Sequence, residues 1–78
     1  MLTLRQRDRI QTIIADIQGD LDGRCKKPYA GTRAEKEVTL DQLRKIIANN
    51  DGRAAYDVIA WFSEEGISSL INSLSQKI

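Results

Sequence analysis

Histidine is absent from this sequence, and cysteine (Cys25), proline (Pro28), tryptophan (Trp61) and phenylalanine (Phe62) occur once each. Without histidine, and with a single thiol, the chain cannot assemble the usual zinc sites or a Cys–His or Ser–His nucleophile pair from its own residues. One cysteine makes no internal disulfide, which fits a reducing compartment. No apolar run approaches the roughly 20 residues that cross a bilayer, so no membrane segment is expected. The first residues alternate leucine with arginine and lack the apolar centre of a secretory signal, which points to a cytoplasmic protein. Charge surplus is scarce too. Twelve Lys and Arg against eleven Asp and Glu leave +1, too little to argue for nucleic acid by itself. There is also no glycine-rich phosphate cradle and no nucleotide fingerprint.

What is present reads as a folded helical domain. Hydrophobic residues are 41% of the chain and charged residues 29%, the balance of a globular protein rather than a disordered one. Residues 1–78 make one domain, with no room for a second core and a thin stability margin unless a partner or a second copy adds to it.

Helical periodicity places four elements, approximately 3–19, 40–49, 52–64 and 67–77, and no strand. The fold class is all-α. In the first, Thr3 and Gln6 have capping-box spacing, and Ile10, Ile13, Ile14, Ile17 and Leu21 form a narrow seam. Gly19 weakens the last turn, and Gly23 terminates the helix. In the second, Thr39 and Gln42 repeat the capping box, and Leu40, Leu43, Ile46 and Ile47 share a face. Asn49-Asn50-Asp51-Gly52 is a stop and turn. The third, residues 52–64, carries Trp61, Ala54, Val58, Phe62, Ala55 and Ile59 on a stripe roughly 160° wide, enough to touch more than one neighbour. It reads as the central helix, with Trp61 and Phe62 at the middle of the core. Gly66 ends it, and Ile67, Leu70, Ile71, Leu74 and Ile78 line one face of the fourth. The first helix should lay its isoleucine seam across the other three or against a second copy; a homodimer is expected.

Residues 23–38 break the pattern. Gly23, Pro28 and Gly31 punctuate them, apolar periodicity disappears, and a long, mobile basic loop between the first two helices is expected. Thr32 and Glu35 nonetheless have capping-box spacing, which admits a helical turn from Arg33 to Glu37.

Three groups bear on chemistry. Asp16, Asp20 and Asp22 cluster near the end of the first helix, but a calcium loop counted from Asp20 would need glutamate where Gly31 stands. They read as a solvated acidic helix end. Cys25 sits between Arg24 and Lys26, which favours a thiolate; with no base or resolving cysteine, an incidental thiol is the plainer reading. The third group is basic: Arg24, Lys26, Lys27, Arg33 and Lys36 surround Tyr29, while Arg5, Arg7 and Arg9 stand at the start of the first helix.

The sequence therefore points to a non-enzymatic regulator or adaptor with no catalytic residue, cofactor or metal. Its contact surface would be Arg5, Arg9, Arg24, Lys26, Lys27, Tyr29, Arg33 and Lys36, meeting a protein partner with an acidic surface. The alternative is a DNA-binding regulator that uses the same cations on phosphates. A helix-turn-helix could be read in Leu40–Asn49 with Arg53–Phe62, or around Gly66, but charged or bulky residues stand where small or apolar ones are required in both.

Overall fold

The computed structural model describes residues 1–24, 26 and 28–76; Cys25, Lys27 and the expected helix end at 77 lie outside the described residues. The architecture is all-helical: α1 (Leu4–Leu21), α2 (Arg33–Ala48), α3 (Gly52–Glu65) and α4 (Ile67–Ser75). Helix α1 packs on α2 and α3, and α4 packs on the same two helices.

Local chemistry fixes each boundary. At α1 the Thr3 hydroxyl accepts the Gln6 N–H at 3.1 Å while the Gln6 side chain accepts the Thr3 N–H at 3.0 Å, so two donors that a helix start leaves open are satisfied together. Helix α2 opens with the same device between Thr32 and Glu35. Asp51 caps α3 by accepting the Ala54 N–H at 3.1 Å. Gly66, at φ +85°, closes α3 through its N–H to Phe62 and also opens α4, its carbonyl accepting from Leu70. One residue thus serves two helices.

Helix α2 is where the sequence reading needs correction. It begins at Arg33, not residue 40, so the connection after α1 is shorter than the expected 23–38 loop. Thr39 caps nothing: it is fully buried in mid-helix, its hydroxyl donating to the Glu35 carbonyl at 2.9 Å and lying 3.3 Å from the Ile71 carbonyl. The reason is specific. Two inward positions of α2, 36 and 39, hold lysine and threonine, so its apolar period is hidden until Leu40. What precedes the helix is also tied down. The Tyr29 N–H donates to Asp20, the Ala30 N–H to the Ser68 hydroxyl and the Thr32 N–H to Glu35.

The centre of the core also differs from expectation. Ile10, Ile13, Ile17, Leu43, Leu70 and Ile71 are essentially without solvent contact, whereas Trp61 is 43% exposed and Phe62 packs only partly buried at the edge. Trp61 and Ile59 mark the two edges of a wide stripe, and edge positions come to lie at the rim. The isoleucine seam of α1 is consumed inside the single chain, which leaves it unavailable to a second copy.

Gly31 lies close against α4. At φ +110° it occupies a region that side chains disfavour, and an added Cβ would stand 3.1 Å from Cγ2 of Ile71. Gly31→Ala is expected to cost about 1–2 kcal/mol, read as a loss of several degrees in a thermal melt. An unchanged melting temperature would mean that the loop carries no strain there.

Candidate functional site

Of the eight residues expected to form one basic surface, the seven that the structure describes do not come together. Helix α1 has 18 residues and so is roughly 27 Å long. Arg5 and Arg9 stand near its start, and the 22–32 connection leaves its other end.

Around that connection most of the described cations already have acidic neighbours. Arg24 pairs with Asp22 at 3.0 Å, and Arg33 with Glu37 at 3.3 Å, both in exposed positions where such pairs contribute little. Lys26 is exposed, and Lys27 lies outside the described residues. Tyr29 is half-buried against the core rather than presented to a ligand. Lys36 is not a surface cation at all. Its ammonium lies 2.8 Å from Asp20 Oδ2, and the two side chains are only 9% and 5% exposed.

This pair corrects the reading of the aspartates as well. Asp20 faces inward, while Asp16 and Asp22 remain exposed. The hydrogen bond from Lys36 holds the Asp20 carboxyl below its ordinary value of 3.8, with the Tyr29 N–H acting the same way and burial opposing. The arrangement joins α1, α2 and the loop at one point and has a structural character. Among the described residues every buried side-chain nitrogen or oxygen has a hydrogen-bond partner. No group of three or more carboxylate, cysteine or histidine side chains is placed to hold a metal ion among them.

The other end of α1 is different. Leu2 N–H donates to Asn50 Oδ1 at 3.0 Å and the Gln6 amide to the Gly52 carbonyl at 3.2 Å, so α1 and α3 start side by side. Between them runs a groove of about 460 Å³, lined by Arg5, Gln6 and Arg9 from α1 and by Tyr56, Ile59 and Ala60 from α3. Tyr56 is 68% exposed. Ala60 is small and keeps the groove open. Among the described residues neither Arg5 nor Arg9 forms an ion pair. An apolar floor, a solvent-facing aromatic side chain and two uncommitted guanidinium groups thus share one surface.

The chain matches no family model, no curated protein and no solved structure. The site is therefore argued from its own chemistry. Arg5 and Arg9 were legible in the sequence as cations; Tyr56, Ile59 and Ala60 were not recognised as their neighbours. Tyr56 did carry a signal, because it is the one aromatic residue of α3 that falls off the apolar stripe. The pairing of α1 with α3 carried none, since it depends on long-range packing.

No helix among the described residues is long and apolar enough to cross a membrane.

Proposed function

We propose that this chain is a small non-enzymatic cytoplasmic regulator or adaptor that acts by protein–protein contact through the α1–α3 groove. The observation that carries this reading is the 68% exposed Tyr56 beside two arginines that have no acidic partner among the described residues. Tyrosine and arginine are the residue types that concentrate binding energy at protein interfaces, because each offers a large, stiff contact area with a polar end. The basic loop is the weaker candidate, with Lys36 buried and Arg24 and Arg33 paired.

The DNA-binding alternative has less in its favour. With the turn at Gly52, α3 would be the reading helix, and its exposed residues include Arg53 but also Asp57, Glu64 and Glu65; with the turn at Gly66, the reading helix would be α4, which carries no cation from Ile67 to Ser75. Acidic groups on α3 oppose approach to phosphates.

The test is a photo-crosslinking amino acid at Tyr56, introduced in cells that express the chain. A discrete protein adduct is expected that resists nuclease and whose yield falls at least about tenfold in Arg5→Glu/Arg9→Glu. A nuclease-sensitive adduct would replace this reading by the nucleic-acid one.

A further inference from the structure

From the shape and charge of the α1–α3 groove, we infer that its occupant is an acidic amphipathic helix of a protein partner, with an apolar anchor flanked by carboxylates one helical turn apart. The inference rests on the protein-contact reading and deepens it.

Spacing is the first argument. Arg5 and Arg9 are four residues apart on one helix, roughly 6 Å along its axis. Two carboxylates four residues apart on a second helix repeat that spacing, so each guanidinium fork can take one of them in a paired contact. The floor supplies the second argument. Tyr56, Ile59 and Ala60 offer apolar contact in the same groove, and a leucine or phenylalanine three residues after the first acid, on the same face as both, would reach it.

Backbone chemistry selects the helix over an extended segment. The walls are α1 and α3, whose carbonyls are bonded along their own helices and whose open N–H groups point along the axis at the helix starts, so they present no free edge to a strand. An extended peptide would lose hydrogen bonds to water without replacement. A helix brings its own satisfied backbone and can pack its side-chain ridges between those of α1 and α3. The charge pattern also selects against a second copy of this chain using α1, whose start is itself arginine-rich.

The probe is a pair of synthetic stapled helices that carry two glutamates or two lysines four residues apart, with one phenylalanine anchor three residues after the first of them. They are titrated into the full 15N-labelled chain and followed by amide chemical shifts. The glutamate helix is expected to shift Arg5, Gln6, Arg9, Tyr56, Ile59 and Ala60, and to bind at least about tenfold more tightly than the lysine helix. Arg5→Glu/Arg9→Glu, at exposed positions and checked for native shift dispersion, should reverse that preference. Arg5→Gln/Arg9→Gln should abolish it and serves if the reversed variant fails to fold. Equal binding of the two helices, shifts elsewhere on the surface, or no shifts at all would overturn the inference. So would the same residues shifting with added DNA duplex, or with concentration of the chain alone through self-association. Failure of the acidic helix with a nuclease-resistant, arginine-dependent adduct at Tyr56 would reject this occupant and leave the protein-contact reading standing.

Discussion

Lys36→Met is expected to destabilise the protein by about 3 kcal/mol and to lower its melting temperature by about 15 °C. The loss comes less from the missing attraction than from what stays behind. Without Lys36, the Asp20 carboxylate remains buried with the Tyr29 N–H still donating to it but no cation beside it, and an uncompensated interior charge is among the costliest defects a small domain can carry. Asp20→Leu/Lys36→Met removes both charges. It should recover all but about 1 kcal/mol, the remainder reflecting a Tyr29 N–H left without its acceptor. If the double variant is as unstable as the single one, the pair is not the electrostatic unit described here.

The same contact sets a pH dependence. Folding favours the ionised form of Asp20, since its carboxyl is held below its ordinary value chiefly by Lys36. Its contribution is therefore complete above the unfolded carboxylate's range, about pH 4, and is lost as pH falls through the lower folded value. A melting series from neutral to acid pH should show a shallower acid decline in Asp20→Asn than in the unsubstituted chain. Equal slopes would show that other carboxylates dominate.

The second large effect concerns where the core lies. Leu43→Ala should cost about 3 kcal/mol, because Leu43 is fully enclosed and its removal leaves a cavity. Trp61→Ala should cost no more than about 1 kcal/mol despite deleting the largest side chain in the protein, since Trp61 is 43% exposed at the rim. Urea denaturation of the two variants gives the ordering directly. The reverse ordering would place Trp61 in the interior.

That contrast shows what could be read from residues alone. Capping boxes at Thr3 and Thr32, the Asn49–Gly52 turn and the glycine at 66 are local devices, and each marks a real helix boundary. Thr39 with Gln42 has the same spacing and marks none. Spacing reports what a local device could do, and tertiary burial decides whether it does it. The Thr32–Glu35 spacing admitted a turn from Arg33 to Glu37, but its continuity into the helix at residue 40 escaped for a related reason: an inward lysine is indistinguishable from a solvated one until its buried aspartate is found 16 positions earlier. The candidate groove was half legible. Arg5 and Arg9 announce themselves by charge, whereas their apolar neighbours belong to another helix brought alongside by the Gln6–Gly52 contact.

The shared residue Gly66 bears on how such a chain can change length. Because α3 ends and α4 begins on it, no spare position exists between them to absorb an added or deleted amino acid. One residue inserted within α4 ahead of Leu70 would turn the positions beyond it by about 100° around the axis and move Leu70, Ile71 and Leu74 off the core. The span from Gly52 to Ser75 therefore behaves as a single register. Any divergence in length that the fold survives has to fall outside it.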